Sequence, residues 1–269
     1  VVKMSELLFS QTFGEEHLAS SPYQASVVLI HGLFGNNDNL SVIRRQFETT
    51  HHVVSIDLPD HGKSPWSKRF SFDVWAQQII QTLQSLNIEK AFVVAHSLGG
   101  KIAMRAASLA PELIEKLIIM DIAPVKYEQR HQNVIDGLSN VELGNIADRK
   151  EALAQLSEYI EAPGIRSFLL KSLYQDVEKQ WRWRFNLHLL SRDYPILSDW
   201  PFEGELFCGD ITFIKGSNSD YIITAYQATI MAQFPNAKVK IVDTGHWLHA
   251  EKPQLVNTLL TLILLGAHN

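Results

Sequence analysis

A serine hydroxyl is a weak nucleophile at neutral pH and needs a neighbouring base to take its proton. Ser97 stands where such activation is expected. It lies in Ala95-His96-Ser97-Leu98-Gly99, after an apolar run at 91–94 and ahead of a helix-forming stretch at 101–109. Strand, sharp turn and helix in that order make a nucleophile elbow. The turn strains the serine backbone, so the residues two positions either side must be small. Ala95 and Gly99 meet that condition, with alanine where glycine is commoner. The candidate base is His246, in Asp243-Thr244-Gly245-His246-Trp247, directly after the last strand pattern. His249 makes an H-x-x-H pair with it, but no Cys or carboxylate cluster accompanies the pair, so no metal site is expected.

An acyl-transfer site also needs two backbone N–H groups aimed at the developing oxyanion. Leu98, immediately after the nucleophile, supplies one. Leu33, in the turn His31-Gly32-Leu33-Phe34-Gly35, is the expected second donor, and its spacing matches neither a P-loop nor a dinucleotide fingerprint. The orienting acid has two candidates. Asp121 ends the apolar run Leu117-Ile118-Ile119-Met120, where a carboxylate costs desolvation unless something pairs with it. Asp220 follows the penultimate strand pattern in Gly216-Ser217-Asn218-Ser219-Asp220, with Ser219 in the usual acid slot. Asp121 is the favoured acid, with Ser219 as a hydrogen-bonding helper, and Asp220 is the alternative acid or the N-cap of the next helix.

The elements that must position these residues alternate. Buried strand patterns at 26–30, 53–56, 91–94 and 117–120 are separated by helical patterns at 39–47, 72–86 and 101–109. An edge strand is expected at 7–13, and a further strand piece at 23–25. Such alternation predicts an α/β fold with a mostly parallel, doubly wound sheet, whose ligands sit at the carboxyl ends of the strands. After Pro124 the strand rhythm stops, and 134–138, 148–160, 165–173 and 178–190 read as helices without strands between them. It resumes with a strand at 212–215, a helix at 222–234 and a strand at 239–242. The expected organisation is a core of 1–123 and 206–269 with a helical lid, 124–205, inserted after the strand ending at Asp121.

The 269 residues are 46% hydrophobic with a formal charge of −5, so one sizeable core is expected and nucleic-acid binding is not. The one cysteine, Cys208, cannot form an internal disulfide, which suits a reducing, cytoplasmic setting. No charged, apolar, small-residue series opens the chain, so no signal peptide is expected. The apolar stretch at 255–265 is too short to span a bilayer and reads as a final amphipathic helix.

Taken together, His31-Gly32-Leu33-Phe34-Gly35, Asp57-Leu58-Pro59-Asp60-His61-Gly62-Lys63-Ser64, the serine elbow, Met120-Asp121-Ile122-Ala123-Pro124 and Gly245-His246-Trp247-Leu248-His249-Ala250 resemble the α/β-hydrolase superfamily. With Trp181-Arg182-Trp183-Arg184-Phe185-Asn186 they resemble its bacterial YbfF-type esterases. That resemblance implies a carboxylester hydrolase using Ser97 and His246, with Asp121 as acid and Ser219 joining it. It also implies short acyl esters, and acyl thioesters such as acyl-CoA, as small-molecule substrates, with no cofactor. In the lid, Trp181, Trp183 and Phe185 are either acyl-pocket walls, with Arg182 or Arg184 at the mouth, or simply packing onto the core. Phe34 also lines the expected pocket. The same triad serves cofactor-free perhydrolases, carbon–carbon hydrolases and lyases, and a non-catalytic hydrolase-like ligand binder is the reading outside enzymes.

Overall fold

A computed structural model describes residues 7–17 and 25–266. Seven strands form one sheet in the order β1-β3-β2-β4-β5-β8-β9. They are β1 (Ser10–Phe13), β2 (Ser26–Ile30), β3 (Val53–Ile56), β4 (Ala91–His96), β5 (Ile114–Met120), β8 (Ile211–Gly216) and β9 (Ala237–Val242). A two-stranded ribbon, β6 (Leu173–Gln175) with β7 (Trp181–Trp183), stands apart from them. All pairings in the large sheet are parallel except β1 with β3. The edge strand expected at 7–13 is β1, and the piece expected at 23–25 falls largely outside the described residues.

Helices cover both faces because the central strands are apolar on both. In β2, Val28 and Ile30 enter one core with α2 (Phe72–Ser85) and α3 (Leu98–Leu109), while Val27 and Leu29 enter another. The second core is closed by α1 (Ser41–Phe47) and α11 (Pro253–Leu265), the final amphipathic helix. Trp75, Ala76, Ile79 and Leu83 recur at helical spacing on the buried side of α2. Between β8 and β9 the expected helix at 222–234 is a 3₁₀ turn followed by α9 (Gln227–Gln233), and α10 (Leu248–Glu251) precedes α11. No helix among the described residues is long and apolar enough to cross a membrane.

Between β5 and β8 lie α4 (Gln132–Asn140), α5 (Arg149–Ser157), α6 (Pro163–Leu170), the β6–β7 ribbon, α7 (Leu187–Arg192) and α8 (Tyr194–Ser198). The ribbon corrects the expectation of uninterrupted helix there, since 178–190 is turn, strand and only then α7. Trp-Arg-Trp-Arg-Phe alternates with period two, which suits a strand. The Asp176 carboxylate fixes the turn by accepting from the N–H groups of Glu178 and Gln180, and Lys179 takes a left-handed φ of 60°.

Candidate active site

Because β2, β4, β5, β8 and β9 run parallel, the loops after them open on one edge of the sheet, and the candidate residues meet there. Ser97 follows β4 with φ 54° and ψ −125°, a conformation that costs a non-glycine residue about 1–3 kcal/mol. The small residue at Gly99 is a packing necessity. A Cβ there would lie 2.2 Å from the His31 carbonyl oxygen. Asp121 follows β5 with φ 53° and is fully buried.

His246 joins the two. The Ser97 Oγ–H donates to His246 Nε2 at 3.0 Å, and His246 Nδ1–H donates to Asp121 Oδ2 at 2.7 Å. Asp121 Oδ1 accepts from the Gly216 N–H at 3.0 Å, and the Ser219 hydroxyl donates to Oδ2. Every neighbour of the buried carboxylate is therefore a donor, which offsets its desolvation. Asp220 lies elsewhere. Its exposed carboxylate pairs with Arg130 at 2.6 Å, and the next helix begins well beyond it, so it neither touches His246 nor caps. Among the described residues no cluster of three or more His, Cys, Asp or Glu is arranged to hold a metal, and His249 Nδ1 is buried without a partner.

The amides of Leu33 and Leu98 find no acceptor among the described residues. Two histidines that sequence reasoning left within motifs hold the Leu33 loop in place. His31 Nε2 accepts from Leu58 N at 3.0 Å while its Nδ1–H donates to the Gly32 carbonyl at 2.8 Å. His61 Nε2 accepts from Phe34 N at 3.0 Å, leaving the neighbouring Leu33 amide free. Burial pushes His31 down to about 4 and His61 to about 3, so both are neutral and can accept. His96 is buried and held well below its ordinary range by desolvation, and its Nε2–H donates to the His246 carbonyl at 2.9 Å. Tyr221 stacks on the His246 imidazole at 4.0 Å between centroids. Of these supports only His31, directly after β2 and beside Gly32, carries a local signal; His61, His96 and Tyr221 act through partners far along the chain.

These buried histidines give a testable acid response. Unfolded histidine takes up its proton near pH 6.5, whereas folded His31 and His61 wait until about 4 and about 3. The unfolded state therefore binds more protons across that window, and stability falls as pH drops through it. A change from pH 7.5 to pH 5 should cost about 2 kcal/mol for each of the two. The urea midpoint should shift down with unchanged slope, and an equal midpoint at both pH values would refute the account.

Two cavities diverge from Ser97. One, of about 50 Å³, runs past Leu98, Ile122, Tyr127, Leu197 and Lys101. The other, of about 170 Å³, is walled by Phe34, Val134, Ile165, Phe168 and Trp247 and includes His246. Phe34 lines the second of these cavities. Trp181, Arg182, Trp183, Arg184 and Phe185 do not, which corrects their assignment as substrate contacts. Period-two alternation puts Trp183 and Phe185 inward, where they stack on each other and Phe185 packs on Phe34 from behind. Arg182 pairs with Asp176, and Arg184 lies over the Tyr174 ring.

Comparison with known proteins gives a consistent result. A model described as the alpha/beta hydrolase family matches residues 27–259. Esterase YbfF of Escherichia coli is 37% identical over 232 residues, 86% of this chain and 89% of that one. The sn-1-specific diacylglycerol lipase ABHD11 of Mus musculus is 32% identical over 238 residues, 85% of this chain and 77% of that one. Among solved structures, a marine microorganism esterase superposes with a TM-score of 0.90 at 30% identity, covering 97% of this chain and 100% of that one.

Proposed function

Because the chain belongs to the alpha/beta hydrolase family, we propose that it is a serine carboxylesterase working through an acyl-enzyme on Ser97. The observation that carries this reading is the unbroken relay from Ser97 Oγ through His246 to Asp121, at 3.0 and 2.7 Å, beside two uncommitted amides. Ser97 attacks the ester carbonyl as His246 takes its proton. The Leu33 and Leu98 N–H groups hold the oxyanion, and Asp121 steadies the imidazolium. His246 then protonates the leaving oxygen, and later takes a proton from the water that releases the acid. Ser219 keeps the Asp121 carboxylate turned toward the imidazole. None of these steps calls for a metal or an organic cofactor.

The leaving group must face His246, so it occupies the arm walled by Phe168 and Trp247, and the acyl group occupies the other. The smaller size of that acyl arm supports short acyl chains. The segment 124–205 roofs both arms through His131, Tyr194 and Phe168 and is read as the lid. Beyond Phe168 and Trp247 the leaving-group arm adjoins an outer groove presenting Arg45 and Lys171. Arg45 and Lys171, set against the exposed carboxylates of Asp38 and Glu251 on the same groove, are the support for extending the reading to acyl-CoA thioesters, whose leaving group carries negative charge.

A fluorophosphonate probe is expected to label Ser97 in the folded protein, with turnover of a p-nitrophenyl ester lost in step with labelling. Folded protein that resists the probe would remove the hydrolase reading. An acyl-chain series on p-nitrophenyl and CoA leaving groups then sets the preferred length and whether sulfur is accepted.

A further inference from the structure

We propose that Lys101 is a positioning residue: it pins both segments joining the 124–205 insertion to the core onto the helix that carries Ser97, and so sets the width of the acyl arm. The use of that arm rests on the esterase reading above, whereas the pin does not. Lys101 lies one turn along α3 from Ser97, and its side chain is buried with 2% of its surface exposed. Its ammonium donates to the carbonyl oxygens of Ser198 at 3.1 Å and Asp199 at 2.9 Å, where the insertion leaves α8 to rejoin the core. The same Ser198 oxygen accepts from the backbone N–H of Tyr127, on the segment that enters the insertion, at 2.9 Å. The ammonium also sits 4.9 Å from the centre of the Tyr127 ring.

Tyr127 carries the link onward. Its hydroxyl accepts from Ala123 N at 2.8 Å and donates at 2.5 Å to the carbonyl of Tyr221, the residue whose ring stacks on His246. Entry and exit segments thus converge on one cation, and Lys101, Tyr127, Leu197 and Ser198 together form a wall of the acyl arm. Packing alone does not call for a charge here. Burial pushes the Lys101 amine down to about 7, which shows how strongly this position disfavours a charge, and an apolar chain of similar length would be easier to bury. The amine provides what such a chain cannot, namely a donor to the Asp199 carbonyl and a second donor to the Ser198 carbonyl, which it shares with the Tyr127 N–H at the end of α8.

The test uses Lys101→Met, which keeps the stem and removes the donors. Replacing a buried charge by an apolar group of similar volume is commonly neutral or stabilising, so the variant is expected to fold. Amides of 122–131 and 194–200 should then exchange with deuterium at least about tenfold faster, with those of α2 unchanged. The ratio of kcat/KM for p-nitrophenyl hexanoate to that for p-nitrophenyl acetate should rise about tenfold, through a lower KM for hexanoate as the arm widens. Uniform or unaltered exchange, or a ratio that stays constant or falls, would overturn the proposal. In the wild type the Tyr127 amide must be protected as strongly as those of α3, and rapid exchange there would overturn it without any variant. Wild-type Ser97 that escapes a fluorophosphonate would instead defeat the esterase reading and leave the exchange result to judge the pin.

Discussion

Asp121→Asn is expected to lower kcat by about 10⁴-fold while leaving the fold intact. Gly216 N–H lies 3.0 Å from Oδ1 and demands an acceptor, so the amide oxygen of an asparagine would settle there. Its NH₂ would then occupy the Oδ2 position, facing His246 Nδ1. Two donors cannot share that contact, so the imidazole would move its proton to Nε2, the nitrogen that must accept from Ser97. The serine would lose its base although every heavy atom stayed in place. Asp220→Asn should change kcat/KM less than about twofold, because an exposed ion pair contributes little and is not in the relay. Steady-state kinetics on p-nitrophenyl acetate decide the matter. If Asp220→Asn were the silent enzyme and Asp121→Asn the active one, the relay described here would be wrong.

A larger loss is expected at the nucleophile. Ser97→Ala should reduce kcat by about 10⁶-fold, the scale at which a serine relay fails once its attacking atom is gone. Ser97 and His246 act on the same proton, so their effects should not add. Ser97→Ala combined with His246→Ala should be no slower than Ser97→Ala alone. Residual turnover above the uncatalysed rate would come from the Leu33 and Leu98 amides, which depend on neither side chain. A double variant much slower than the single one would mean that His246 acts on something other than the Ser97 proton.

The sheet was legible in the sequence because its central strands carry little but apolar residues. Val27 to Ile30 and Leu117 to Met120 could not be anything exposed, and their alternation with helices left one plausible architecture. Ser97 and Asp121 stand directly after such strands, whereas His246 lies four residues beyond β9, a largely exposed strand, and is marked by its chain order after the serine. Where signals were local they carried over, and where they depended on a tertiary partner they did not. Trp181 to Phe185 illustrate the difference. Aromatic and basic composition suggested a substrate wall, but their period of two is that of a ribbon, and Asp176, whose capping role shows only in the folded turn, sets its corner. The buttressing of Phe34 by His61, and the attachment of Lys101 to Ser198, join residues far apart in the chain that no spacing rule connects.

The placement of β8 beside β5 has a consequence for how the molecule comes into being. Leu117 pairs with Ile211 across the whole insertion, whereas β1 to β5 are complete before the insertion begins. A chain emerging from the ribosome can thus assemble most of the sheet, with Ser97 already at the end of β4, while β8, β9 and the Gly216 and Ser219 donors that hold Asp121 are still unmade. Non-local pairing of this kind is the slower part of folding. His246, which lies beyond β9, arrives only once that edge has closed. On that topology Ser97 would stand without its base until β9 and the chain beyond it were in place.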